Sequence, residues 1–166
     1  TVATVSKACK TIIQKYLTET ADDLTGLAFK LHDFGARGAS SEETVAIGGL
    51  AHLVNFMGTD SMSAIVAARR FYNADMAGFS IPAAEHSTIT SWGRDNESKA
   101  YGNMLEQFGG KDKLVAVVSD SYDIWNAIDN IWGDELKLEV QSMGGTLVVR
   151  PDSGEPVEIV PQVIER

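Results

Sequence analysis

One histidine of this chain stands in company suited to chemistry. His86 lies in the run SIPAAEHSTITSWG, Ser80 to Gly93, where an apolar stretch of strand type opens into a helix. Glu85 precedes it and the hydroxyls of Ser87, Thr88 and Thr90 follow, so the segment offers a carboxylate for positive charge and donors for an anion. A neutral imidazole is a nucleophile, and a carboxylate on its other ring nitrogen orients the ring and stabilises the cation formed when it reacts. Polar, reactive side chains recur after other apolar runs: Arg37, Asp60, Ser119 with Asp123, and Arg150 with Asp152. His52 reads differently, because it falls among Leu50, Leu53 and Val54, the setting of a packed, hydrogen-bonded histidine. No grouping of Cys and His has the spacing of a structural zinc site.

The elements that must position these residues alternate between strand-length apolar runs and segments of helical period, the pattern of βαβ units and a parallel sheet. An opening helix is expected over about Val5 to Thr18 and a first strand over Leu27 to His32, ending in the glycine-containing turn Asp33 to Gly38. Ser40 is placed as the cap of the next helix, with Glu43 completing a capping box and Val45, Ile47, Leu50, Leu53 and Val54 as its apolar positions. A short extended segment and the turn Met57 to Asp60 follow, with Asp60 at the N-cap of a helix carrying Met62, Ile65, Val66 and Phe71. Further strands are expected around Phe79 to Pro82, at Leu114 to Val118 and at Thr146 to Val149, and a last helix begins near Pro156. In a parallel sheet the residues after each strand share one edge, where ligands of α/β proteins bind. The competing reading is that such turns hold Asp, Ser and Gly only for capping.

Composition narrows the function. The 166 residues suit one α/β unit, and no apolar run is long enough to span a bilayer. A formal charge of −9 argues against nucleic acid, whose phosphates need a basic stripe. Cys9 is the only cysteine, so no internal disulfide forms, which points to a reducing, cytoplasmic setting. The chain opens on Thr1 and closes within the helix-type run Pro161 to Arg166, as expected of a piece of something longer. Trp92, Trp125 and Trp132 are expected in helix–sheet packing, and Asp129, Asp134, Glu135 and Glu139 on solvated faces.

Five stretches carry a resemblance: HDFGARG (His32 to Gly38), HLVNFMGTD (His52 to Asp60), PAAEHSTITSWG (Pro82 to Gly93), VVSDSYDIWNA (Val117 to Ala127) and VVRPDSGEP (Val148 to Pro156). Ordered and collinear, they resemble the nicotinamide phosphoribosyltransferase family over about residues 27–156, the middle portion of a longer enzyme. The resemblance implies an irregular, TIM-like α/β barrel of a type II phosphoribosyltransferase, working as a homodimer with composite active sites. It implies formation of nicotinamide mononucleotide and pyrophosphate from nicotinamide and phosphoribosyl pyrophosphate, with Mg2+ present and ATP as phosphoryl donor to His86.

By motif position, Phe34 resembles the aromatic stacked on the pyridine ring and Arg37 a cation beside ring and phosphate. A Phe inside a glycine-flanked polar turn can also be a core plug. Asp60 resembles the acceptor of the substrate amide N–H, which a carboxylate suits because it can only accept, and Ser119 the donor to the amide oxygen. Asp60 as a helix cap is the plainer alternative. Asp123, or else Glu85, is the expected orienting carboxylate for His86, with His32 in support behind the site. Arg150 and Asp152 resemble the pair serving the phosphoribosyl unit, where arginine offsets departing pyrophosphate and a carboxylate stabilises the ribosyl cation-like state. The magnesium ligands are not legible. Because five strands do not complete an eight-stranded barrel, the isolated fragment is expected to bind weakly and turn over little. Two alternatives are open: a nicotinate or related pyridine phosphoribosyltransferase, and a noncatalytic α/β interaction module.

Overall fold

A computed structural model describes residues 1–166, and its contacts divide the chain, read above as one α/β unit, into two compact parts, Thr1–Ser80 and Ile81–Arg166. No helix is long and apolar enough to cross a membrane.

The first part opens with helix α1 (Val2–Thr20). The strand expected over Leu27 to His32 is mostly absent: Leu27–Phe29 turn in a 3-10 helix and only His32–Asp33 pair as β1. The stretch carries Lys30 among its apolar residues and has too few β-branched side chains to favour extension. Strand β2 (Gly58–Thr59) lies inside the segment expected to be a turn and pairs with β1 in parallel, His32 with Gly58 and Asp33 with Thr59. Phe79 bridges Gly58 in the same sense, which is all that forms of the expected third strand here.

Helices α2 (Glu42–Leu53) and α3 (Met62–Tyr72) pack closely, and a Cβ on Gly49 would sit 2.6 Å from that of Ala64. Two expected caps shift by one residue. Ser41, not Ser40, caps α2, its Oγ accepting the Thr44 N–H at 3.1 Å. Ser61, not Asp60, stands at the N-cap of α3, which leaves the Asp60 carboxylate for side-chain partners. His52 is buried, stacks on Phe56 and reaches the Gly58 carbonyl through Nε2 at 2.9 Å. A carbonyl only accepts, so that nitrogen carries the proton. Ile47, Val54, Met62, Val66 and Phe71, read as apolar positions of the helix faces, are exposed, and several line a groove of about 950 Å³ between α2 and α3.

The second part holds strands β3 (Leu114–Val118) and β4 (Thr146–Arg150), parallel with Leu114 opposite Thr146 and Val118 opposite Arg150. Both follow the sequence expectation, because each centres on an apolar, largely β-branched run between turn residues. Ala83 bridges Ala116 on the other side of β3. Helix α4 (His86–Thr90) follows that bridge, and α5 (Glu97–Phe108) packs on β3. Beyond β3, the short α6 (Ile124–Asn126) runs into a π-helical stretch, Ala127–Glu135, and then α7 (Lys137–Met143). Gly144, at φ +69°, ends α7 in the left-handed conformation that glycine adopts without a Cβ clash, and β4 begins two residues on. Helix α8 (Pro156–Glu165) closes the chain.

The core of this part is Val115, Val117 and Val118 of β3 against Tyr101, Ile89 and Trp132. Trp132 stacks on Tyr101 with ring centroids 4.7 Å apart, the packing role expected of it. Trp92 is exposed instead, and Trp125 is half-buried beneath the Arg166 guanidinium rather than against a sheet. Asp129, Asp134, Glu135 and Glu139 are all exposed, with Asp129 paired to Arg166. The architecture is mixed α/β with two-stranded parallel sheets; a closed barrel is not present.

Candidate active site

Two clusters gather the residues singled out in the sequence, one in each part. In the first part the cluster stands where β1 and β2 end. Successive side chains of a strand point to opposite faces, so His32 and Asp33 diverge. His32 Nε2 meets Asp60 Oδ1 at 2.9 Å, and Ser80 Oγ donates to the same oxygen. Phe34 begins the 3-10 turn Gly35–Gly38 and is 46% exposed, with its ring centroid 4.7 Å from that of His32. It is therefore not a core plug, and its ring is available to a flat ligand. Arg37 lies exposed in the same turn.

In the second part, His86 is the first residue of α4, after Glu85 at the N-cap, whose N–H donates to Thr88 Oγ1 at 3.3 Å. The carboxylate at its ring is Asp120, with Oδ1 3.1 Å from Nε2. The expected partner Asp123 caps α6 instead, its Oδ1 accepting the N–H groups of Trp125 and Asn126. Asp120 follows β3 by two residues, and its other oxygen accepts the Asp152 N–H at 2.8 Å. It thus joins the loop after β3 to the loop after β4, which the Val118–Arg150 register brings side by side. Asp152 Oδ2 lies 3.7 Å from both His86 Nδ1 and an Arg150 Nη.

The exposures suit these contacts. The His86 side chain is 43% exposed, while that of Asp120 is 3% exposed. Burial works against the charged form of Asp120, but hydrogen bonds from Ser153, the Asp152 N–H and His86 outweigh it and hold the carboxyl below the usual range. A carboxylate accepts only, so the Asp120 contact places a proton on Nε2 and leaves Nδ1 with its lone pair in the neutral ring. Ser119, expected at a substrate amide, is fully buried. Its hydroxyl donates to the Val117 carbonyl and accepts from Trp132 Nε1, both at 3.0 Å, so no donor is left for a ligand.

Strand-end position marked both clusters in the sequence. What it missed was Asp120, and the residue order SDSYD held the signal only as two carboxylates three positions apart. No three carboxylate, histidine or cysteine side chains converge as a metal cage.

Residues 29–166 match the nicotinate phosphoribosyltransferase (NAPRTase) family. The chain belongs to that family. It is 58% identical over 165 residues to the nicotinamide phosphoribosyltransferase of Xanthomonas campestris pv. campestris, an alignment covering 99% of this chain and 35% of that protein. The proteins of the same name from Mycoplasma genitalium and Acinetobacter baylyi are 39% and 31% identical, over 93% and 96% of this chain and 31% and 33% of theirs. The chain thus spans about a third of the length of these curated relatives.

Proposed function

We propose that the full-length protein carrying this chain joins nicotinamide to phosphoribosyl pyrophosphate, forming nicotinamide mononucleotide and pyrophosphate, with ATP phosphorylating His86. The observation that carries this reading is the His86–Asp120 pair beside Arg150 and Asp152 in a chain of this family. In the phosphorylation, the Nδ1 lone pair attacks the γ-phosphorus of ATP, the bridging P–O bond breaks and its electrons leave with ADP. Asp120 keeps the proton on Nε2 and offsets the positive charge that the ring gains. In the transfer, the pyridine nitrogen forms a bond to the ribosyl C1′ as the C1′–O bond to pyrophosphate breaks. Arg150 offsets charge on the departing oxygens and Asp152 stabilises the cation-like sugar.

Phe34, Arg37 and Asp60 serve the pyridine in this reading. Nicotinamide is preferred to nicotinic acid because the amide NH2 donates to the Asp60 carboxylate, whereas a substrate carboxylate would meet like charge there. The relatives named above are nicotinamide phosphoribosyltransferases, in agreement with that choice. Magnesium in this class of chemistry takes a carboxylate or two and substrate phosphates; the half-exposed Asp152 would hold it, and the ion would offset pyrophosphate charge. A homodimer belongs to the same proposal.

Labelled γ-phosphate of ATP, supplied to the full-length protein, tests it. Acid-labile label is expected on the wild type and not on His86→Ala; equal labelling removes His86 from the mechanism. In competition, nicotinamide is expected to be consumed ahead of nicotinic acid, and the reverse order overturns the assignment of Asp60.

A further inference from the structure

Asp33 stands between two residues of the candidate pyridine cluster and takes part in neither contact described for it. Its side chain leaves β1 on the face opposite His32 and meets three donors. Oδ1 accepts the Gly35 N–H at 2.8 Å, Oδ2 accepts the Thr59 hydroxyl at 3.1 Å, and the Ser61 hydroxyl donates as well. Thr59 Oγ1 in turn accepts the Ser61 N–H at 3.0 Å, and the Asp33 carbonyl accepts the Asp60 N–H at 3.0 Å. Asp60 is therefore held through its own backbone and through the side chains on either side of it, and Phe34 through the Gly35 N–H that follows it. All of these bonds but the one from the Ser61 N–H to Thr59 end on Asp33.

We propose that Asp33 is the positioning residue of the pyridine cluster, a partly buried, hydrogen-bonded anion that sets the Phe34 ring and the Asp60 carboxylate in register for a flat aromatic amide. The inference rests on the reading of Phe34 and Asp60 given above. The residue type follows from the donor count. Three donors and no acceptor face the side chain, so a carboxylate satisfies them all, whereas the NH2 of asparagine would confront one of them. Gly49 leaves the space beside Oδ2 open, where a Cβ would lie 3.1 Å from that oxygen. Burial disfavours the Asp33 anion, yet the bonds from Ser61, Gly35 and Thr59 hold its carboxyl below the usual range, as a permanent anion requires. All members of this network, Asp33, Gly35, Thr59 and Ser61, belong with Phe34 and Asp60 to the first part of the chain, so its effect is read on the pyridine.

The test uses the full-length protein and separates the two substrates. Asp33→Asn is expected to raise KM for nicotinamide about tenfold, with KM for phosphoribosyl pyrophosphate changed by less than about twofold. Labelling of His86 by ATP is expected at the wild-type rate. Thr59→Val removes one donor at nearly constant volume and is expected to shift the same constant about threefold; it decides the matter if Asp33→Asn does not fold. A nicotinamide KM unchanged in both variants overturns the proposal, as does an equal rise in both KM values with lost labelling, the mark of general destabilisation. The parent reading fails separately: if the wild type does not turn over nicotinamide, or Asp60→Ala retains its KM, the cluster is not a pyridine site and Asp33 has nothing to position.

Discussion

The choice of carboxylate at His86 turns on a single oxygen. Asp120 and Asp123 are three residues apart in the sequence, and either could be drawn toward the imidazole from the loop after β3. The structure commits Asp123 to the first turn of α6 and buries Asp120 against the ring, with its second oxygen on the Asp152 N–H. Its acceptor-only chemistry gives a prediction at this scale. In Asp120→Asn the side-chain NH2 can donate to Nε2, which moves the ring proton to Nδ1 and removes the lone pair used in attack. ATP-dependent labelling of the full-length protein is expected to fall by roughly 10²–10⁴, the upper end being the loss known when asparagine reverses the tautomer in a carboxylate–histidine pair. Labelling within about twofold of wild type would show that Asp120 does not set the tautomer. Ser119 teaches the complementary lesson: a hydroxyl at a strand end looks available until Trp132 Nε1 and the Val117 carbonyl are found on it.

At the scale of elements, the first three helices, the last one and the long strands were legible, whereas α5, α7 and the two-residue strands were not. The run at β3 is apolar throughout and that of β4 has an apolar centre, Leu147 to Val149, and both are bounded by turn residues, so they need no tertiary help to be read. Two-residue strands such as β1 and β2 have no period to read; they exist because a parallel partner lies alongside. Caps fall between these cases, since Ser40 and Ser41 carry the same side chain and only the backbone decides which begins α2. Ser41→Ala is expected to cost about 1 kcal/mol in urea unfolding, the usual value of a capping hydroxyl. Ser40→Ala is expected to cost less than about 0.5 kcal/mol, as for an exposed position without a special role. Equal losses would show that the cap frays between the two serines.

For the molecule as a whole, hydrogen-bonded and partly or fully buried acids set the response to pH. Asp33 and Asp120 have folded-state pKa values below their unfolded ones, so the stability they contribute is present above the unfolded carboxylate range, about 3.9, and is lost as pH falls through the lower folded values. Glu97 has the opposite sign. Burial raises its pKa despite the hydrogen bond from Tyr101, so its contribution is present below the unfolded value and is lost as pH rises toward the raised folded one. Denaturant titrations between about pH 2 and 8 are expected to show both limbs. Asp120→Asn should flatten the acid limb and Glu97→Gln the upper one; an unchanged acid limb in Asp120→Asn would mean that its network does not persist in solution. The division into Thr1–Ser80 and Ile81–Arg166 was not legible, because strand-helix alternation runs through residue 80 without a change of composition.

By itself the sequence determined the α/β alternation, the two long strands, the acidic and cysteine-poor character and the residues that stand at strand ends. These are local properties, carried by period, turn residues and motif order. The tertiary structure alone decided that Asp120 and not Asp123 meets His86, that Ser119 is spent in the core, and that one carboxylate at Asp33 gathers donors from its own turn and from the segment around Asp60. Each depends on which residue of one strand lies opposite which of another and where a side chain turns when packed, and neither is carried by the residues next to it in the chain.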